Sequence, residues 1–331
     1  MLLLLPLLPL LFGAVVAAAA HADEGPTPGP TGTEHHPGKM IWADLVTPDL
    51  AAAENFYGGL FGWTFKTADG GPADYAVVLA GGRPIGGVVQ RPVPPGEHRQ
   101  PAWLTFLSVQ DVDAARRVAL GHGAKSVSEP KTYARRGRQA VLSDPEGAVF
   151  AILAASGGDP ADDLAEPGEW IWSALLAKDP AQSAAFYQQV FGYDVFDADS
   201  DDGSDHLVLS SDNYARASAN TLPSDHARRR AHWINFVRVA DAAAAARKAV
   251  TLGGRILVEP HDDGPGGLWA VISDPAGAPV GLMEWSASDS KAEPPSKAEP
   301  PSKAEPPSKA EPPSKAEPPS KAEPPSKAEP Q

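Results

Sequence analysis

The alternation of apolar and polar positions first becomes regular at Met40, where Met40 to Val46 reads as a strand. Asp49 then supplies an N-cap, and Leu50 to Leu60 carries helical spacing that puts Phe56 and Leu60 on one face, with Gly62 as the stop. Short strands follow near Trp63 to Thr67, Tyr75 to Leu79 and Pro84 to Gln90. The order then restarts, with a strand from Ala102 to Val109, a helix from Val112 to Gly121, and strands near Lys125 to Ser128, Gln139 to Leu142 and Val149 to Ala154. The whole series returns 130 residues later. Trp42, Asp49, Phe56-Tyr57 and Phe61-Gly62 recur as Trp172, Asp179, Phe186-Tyr187 and Phe191-Gly192, while Trp103, Asp111 and Ser143-Asp144-Pro145 recur as Trp233, Asp241 and Ser273-Asp274-Pro275. One domain is therefore present twice, each copy being two βαβββ modules, which predicts an α+β fold with domains at 40–156 and 169–286 joined by a linker at 157–168.

The two ends depart from this pattern. Residues 1–22 are an apolar run closing on Ala20-His21-Ala22, the small-x-small form of a signal-peptidase site, so the expected location is secreted or extracytoplasmic. No Lys or Arg precedes the run and its length nears that of a bilayer span, which keeps a retained N-terminal membrane anchor as the alternative. Residues 23–39 read as a flexible linker in which His35 and His36 are incidental, able at most to scavenge metal weakly. From Ser290 the unit Ser-Lys-Ala-Glu-Pro-Pro repeats, and two prolines in six make residues 287–331 a disordered, partly polyproline-II tail, either a spacer, a cell-envelope contact or a tolerated expansion. The repeats from Ser290 are charge-balanced, so the net charge of −14 belongs to the rest of the chain and argues against nucleic acid as a partner. The absence of cysteine excludes disulfides and thiolate metal sites.

The run Trp-x-Asp-Leu-x-Thr-Pro-Asp from Trp42 to Asp49, the Phe-Tyr-x₃-Phe-Gly-Trp run ending at Trp63, and Asp-Pro-x-Gly-Ala at Asp144 to Ala148 resemble the vicinal-oxygen-chelate superfamily, which includes glyoxalase I, bleomycin-resistance proteins and extradiol dioxygenases. The resemblance implies two tandem domains, each a curved, incompletely closed mixed sheet with helices outside, pairing with each other or with those of a second chain. It also implies a divalent metal, held by a donor on a module's first strand and a glutamate on its last, that chelates two oxygens of substrate and stabilises an anion.

Carried onto this chain, the first-strand positions are Trp42, Trp172, Leu104 and Ile234, and a slip of one residue gives Trp103 and Trp233. The last-strand positions are Ala151 and Gly281. None has a lone pair to give, so no metal or other cofactor is expected. Asp44, two residues beyond Trp42, and His232, two before Ile234, are the nearest donors, and neither recurs in the other copy. Asp44 reads as a hydrogen-bonded buried carboxylate or a ligand; His232 as a satisfied strand-end imidazole. The other histidines, His98, His122, His206 and His261, read as exposed, and the basic runs Tyr133 to Arg138 and Arg228 to Arg230 read as solvated turns or as steering for an anion.

An aromatic face in place of metal ligands suits a small-molecule pocket, with Trp42, Trp103, Trp172 and Trp233 as stacking surfaces for a planar or cationic ligand or, more plainly, as core. The expected function is that of a non-catalytic, exported, bleomycin-resistance-like binding module using Trp42, Asp44, Trp103, Trp172, His232 and Trp233. The alternatives are a metal-dependent lyase or dioxygenase using Asp44, and an envelope interaction protein.

Overall fold

The computed structural model describes residues 33–67, 75–92, 101–198, 206–223, 230–262 and 267–285. The apolar run 1–22, the repeat tail 287–331, and His98, Arg228 and Arg229 lie outside the described residues. In the first copy the elements are β1 (Met40–Thr47), α1 (Leu50–Phe61), β2 (Thr64–Thr67), β3 (Tyr75–Ala80), β4 (Arg83–Gln90), β5 (Ala102–Ser108), α2 (Val112–Gly121), β6 (Lys125–Tyr133), β7 (Gly137–Ser143) and β8 (Val149–Ala155). In the second they are β9 (Trp170–Ala177), α3 (Pro180–Phe191), β10 (Asp194–Asp197), β11 (His206–Ser211), β12 (Tyr214–Thr221), β13 (His232–Arg238), α4 (Ala242–Thr251), β14 (Arg255–His261), β15 (Trp269–Ser273) and β16 (Pro279–Met283).

Local chemistry sets the helix boundaries. Asp49, Asp111, Asp179 and Asp241 each cap a helix, their side chains accepting from backbone N–H groups of the first turn. Gly62 and Gly192 end α1 and α3 in the left-handed region that only glycine enters cheaply. Strand β6 runs on to Tyr133, well past the expected Ser128. It lies at the edge of its sheet and carries register shifts, and those two conditions let a strand keep Pro130.

Each copy forms one eight-stranded mixed sheet, ordered β2-β3-β4-β1-β5-β8-β7-β6 in the first and β10-β11-β12-β9-β13-β16-β15-β14 in the second. The antiparallel pairs β1·β5 and β9·β13 join the two modules of each sheet. These central strands are covered on both faces, which is why β1 is buried nearly throughout instead of alternating.

The helix-facing side of each sheet belongs to a core that both copies build. One core gathers Phe56 and Tyr57 of α1 and Leu45 of β1 with Ala246 and Ala249 of α4, Ile272 of β15 and Leu282 of β16. The other gathers Ala115 and Ala119 of α2 and Phe150 of β8 with Phe186 and Tyr187 of α3 and Leu209 of β11. The two concave faces hold separate clusters, each drawn from a single copy.

Hydrogen bonds cross the shared cores in matched positions. Trp103 Nε1 donates to Tyr57 Oη at 3.0 Å, and Tyr57 donates to Asp274 Oδ2 of the other copy at 3.3 Å. Trp233 Nε1 donates to Tyr187 Oη at 3.0 Å, and Tyr187 donates to Asp144 Oδ2 at 3.0 Å. Each aspartate also organises the turn it stands in: Asp144 accepts from Ala148 N, and Asp274 from Gly277 N and Ala278 N. Between the relays, Thr105 Oγ1 donates to Asn235 Oδ1 at 2.8 Å. These two residues are 130 positions apart, so the pseudo-twofold axis relating the copies passes through their contact.

Removing one phenol strands two buried groups at once, a donor and an acceptor. Tyr187→Phe should therefore cost about 1–3 kcal/mol of unfolding free energy in denaturant titration. Burial pushes the Asp144 carboxyl up to about 6, against the N–H and O–H donors that favour its charge, and Asp274 moves in the same direction for the same reason. A carboxyl raised on folding binds its proton more tightly in the native state. Its contribution is full below the unfolded value of about 4 and is lost as pH rises through about 6. Lowering the pH from about 7 to about 5 should stabilise the wild-type protein by about 1 kcal/mol relative to Asp144→Asn, measured by denaturation at the two pH values.

Candidate functional site

On the concave face of the first sheet, Trp42 and Asp44 of β1 stand beside Leu104 and Phe106 of β5, with Trp42 registered against Phe106. The turn after β6 brings Arg136 into the same space, and the side chains of Asp44 and Arg136 are both fully buried. Arg136 Nη1 donates to Asp44 Oδ2 at 2.9 Å, and Nη2 donates to Asp44 Oδ1 and to Tyr75 Oη, each at 3.2 Å. Trp42 Nε1 donates to Asp44 Oδ1 at 2.7 Å. The guanidinium carbon lies 4.7 Å from the Trp42 ring centre and 5.0 Å from that of Phe106, so the cation spreads across a two-ring platform.

Two glycines make this fit possible. At Gly87 a Cβ would meet Tyr75 Oη at 2.3 Å and Asp44 Oδ1 at 2.6 Å; at Gly137 it would meet the Ala154 carbonyl oxygen at 2.0 Å. Burial works against the charge of Arg136, but the Asp44 carboxylate beside it more than compensates and holds the guanidinium protonated. Burial, reinforced by Asp44, pushes the Tyr75 phenol up, so it remains neutral. The expectation that Tyr133 to Arg138 forms a solvated turn is thus corrected at Arg136. A carboxylate buried on the strand beneath reverses the usual preference of arginine for water.

Trp103 and Trp233 lie elsewhere. Trp103 pairs with Leu45 across β1·β5, one position out of phase with Trp42, and it packs in the helix-side core. Trp233 does the same in the second copy. Neither joins Trp42 or Trp172 in a stacking pair, because a single residue along a strand exchanges one sheet face for the other.

The concave face of the second sheet is built differently. Ala174, Ile234, Phe236, Val271 and Met283 are buried there, with Trp172, Trp269 and Trp285 half-buried around them. Trp172 and Phe236 are registered against each other just as Trp42 and Phe106 are. Asp44 is replaced by Ala174, and the position 130 after Arg136 is a glycine, Gly266, outside the described residues. Trp172 Nε1 is satisfied by Ser218 Oγ at 3.1 Å. Phe236 meets Trp269 edge-on with 6.1 Å between centres, and His261 lies 4.1 Å from Trp269. His232 stands at the start of β13, its Nδ1 3.0 Å from the Arg230 carbonyl oxygen. Neither His261 nor His206 is exposed as expected: both are half-buried, the former against Trp269 and the latter bonded to Asn220.

The positions that would hold a metal carry no donor in either sheet. Phe106 is registered against Ala151, and Phe236 against Gly281. A Cβ at Gly281 would lie 2.1 Å from the Phe236 ring, so the ring covers the place a glutamate would need. Among the described residues no group of three His, Asp or Glu side chains is arranged to hold a metal ion. His35 and His36 are not incidental: with Glu34, Ala161, Asp162, Asp212 and Tyr214 they line an open cleft of about 480 Å³. Of its acids, Asp162 is engaged by Lys39 and Arg216 and Asp212 lies within ion-pair distance of Arg216 and His36, while Asp159 beside the cleft accepts from His36 N and Ser108 and meets His35. The cleft therefore reads as a clasp that fastens the segment before β1 to the interdomain linker.

Residues 40–153 match the family model of the glyoxalase-like domain, and residues 171–282 match that of the glyoxalase/bleomycin resistance protein/dioxygenase superfamily. Among curated proteins the chain is 32% identical over 259 residues to CFP32 of Mycobacterium tuberculosis, provisionally named a glyoxylase, covering 77% of this chain and 98% of that one. It is 31% identical over 264 residues to the anthracycline biosynthesis protein DnrV of Streptomyces peucetius, covering 76% and 95%. Among solved structures it resembles the Mn(II)-bound glyoxalase of Novosphingobium aromaticivorans, with a TM-score of 0.56, 18% identity, and coverage of 76% and 83%. It also resembles the 2,3-dioxygenase LapB of Pseudomonas sp. KL28, with a TM-score of 0.52, 13% identity, and coverage of 76% and 93%. At these identities the solved structures speak to the fold alone.

The buried pair in the first sheet makes a direct prediction. Asp44→Ala or Arg136→Ala leaves one charge uncompensated and should cost about 3–5 kcal/mol, whereas Asp44→Leu with Arg136→Met should cost less than either single change. Equilibrium denaturation of the three variants reads this out.

Proposed function

Since the chain belongs to the glyoxalase/bleomycin resistance protein/dioxygenase superfamily, we propose that it is an exported small-molecule binding protein whose ligand lies on the concave face of the second sheet. The observation that carries this reading is the difference between the two faces. In the first copy Arg136 and Asp44 fill the space above Trp42 and Phe106. In the second copy the same aromatic pair recurs as Trp172 and Phe236, flanked by Trp269 and Trp285, while the residues at the positions of Asp44 and Arg136 are alanine and glycine. An apolar, aromatic concavity with a few polar groups at its edge is the usual form of a small-molecule site. Binding here buries ring against ring, which favours flat ligands. The anthracycline-biosynthesis relatives support the same class, since anthracyclines are fused-ring compounds.

The binding reading is preferred to metal-dependent lyase or dioxygenase chemistry. Trp172, Gly281 and Ile234 offer no donor, and both oxygens of Asp44 are taken by Arg136 and Trp42. Export through the apolar run at residues 1–22 completes the proposal, with binding outside the cytoplasm.

Trp172→Ala should weaken binding of planar aromatic compounds by about tenfold or more while the chain, though less stable, still melts in one cooperative transition. Quenching of tryptophan fluorescence across an aromatic compound panel measures the first, and a thermal melt the second. Metal analysis of the dialysed protein should find divalent ions well below one per chain. A stoichiometric, tightly held ion would overturn the metal-free part of the proposal.

A further inference from the structure

The first copy displays, within its own chain, an occupant of the site that the second copy leaves to a ligand. The Arg136 guanidinium is flat, its charge is delocalised, and it rests on Trp42 and Phe106 at 4.7 and 5.0 Å. The platform beneath it comes from two residues registered across an antiparallel strand pair. Trp172 and Phe236 reproduce that pair residue for residue across β9·β13.

Resting on the reading of the second concave face as a binding site, we propose that its ligand presents a planar, delocalised cation, of guanidinium, amidinium or aryl-cation type, to the Trp172–Phe236 platform. Two differences between the copies narrow the class. Ala174 stands where Asp44 neutralises Arg136, so no carboxylate at that position compensates for dehydrating a charge. A compact ammonium, which holds its water strongly, is therefore disfavoured, whereas a weakly hydrated planar cation keeps much of its attraction to the ring faces. The added rings of Trp269 and Trp285, where the first copy has Gln139 and Ala155, supply apolar walls for the body of a ligand larger than one side chain. The net charge of −14 also favours the approach of a cation over an anion.

The test uses the full chain and three probes: phenylguanidinium, its neutral isostere phenylurea, and butylammonium as a compact cation. Binding is followed by calorimetry or tryptophan fluorescence. Phenylguanidinium should bind about tenfold more tightly than phenylurea or butylammonium, and Trp172→Ala should remove that preference. Ala174→Asp, which restores the carboxylate of the first copy, should raise affinity for phenylguanidinium by about a further tenfold and leave phenylurea unchanged. Equal, Trp172-dependent binding of phenylurea and phenylguanidinium would overturn the cation class and leave the site standing. If none of the probes binds in a Trp172-dependent way, the site itself fails. Should Ala174→Asp not fold, as its thermal melt would show, the ratio of the two phenyl probes on the wild-type chain decides the question.

Discussion

The rest of the molecule depends on the sharing of two helix-side cores between copies. Neither copy covers the outer face of its own sheet unaided. Helix α1 meets α4, α2 meets α3, and the aromatic residues of one copy complete cores begun by the other. The Trp–Tyr–Asp relays turn this apolar contact into a fixed one, because a buried phenol with one donor partner and one acceptor partner tolerates little sliding. The aspartate ending each relay also shapes a tight turn in its own sheet, so the docking of the copies and the geometry of each sheet are set by the same carboxylates.

With the outer faces committed to folding, the concave faces were free to differ. In the first, a charged pair is buried, and the cost of dehydrating both ions is opposed by two guanidinium–carboxylate contacts, a tyrosine, an indole N–H and two ring faces. In the second, the ion pair is gone and aromatic residues have been added. The same strand register thus carries an ion pair in one copy and an apolar aromatic cluster in the other.

Much of this was legible in the sequence where the cause is local. The caps at Asp49, Asp111, Asp179 and Asp241 and the stops at Gly62 and Gly192 act within a single turn, so their pattern marks the helices closely. The faces of Trp103 and Trp233 were not legible, since a one-residue choice of register decides them and only strand pairing fixes the register. Arg136 was hidden because a buried arginine and a solvated one look alike in a basic turn; its partner lies 92 positions away. Trp269 and Trp285 did leave a signal. They are aromatic in one copy and Gln139 and Ala155 in the other, and comparing copies for what they do not share points to the second concave face.

The contact between Thr105 and Asn235 bears on how such a chain arises. In a homodimer a side chain on the symmetry axis meets its own image, so any hydrogen bond there must be made between two copies of the same side chain. Covalent fusion of the two halves lifts that restriction. A hydroxyl can then face an amide oxygen, with Ser173 donating to the same oxygen from the side. The asymmetric polar centre of this protein is an arrangement that separate, identical subunits have no means of encoding, and it allows tandem duplication to diversify an interface from its middle outward.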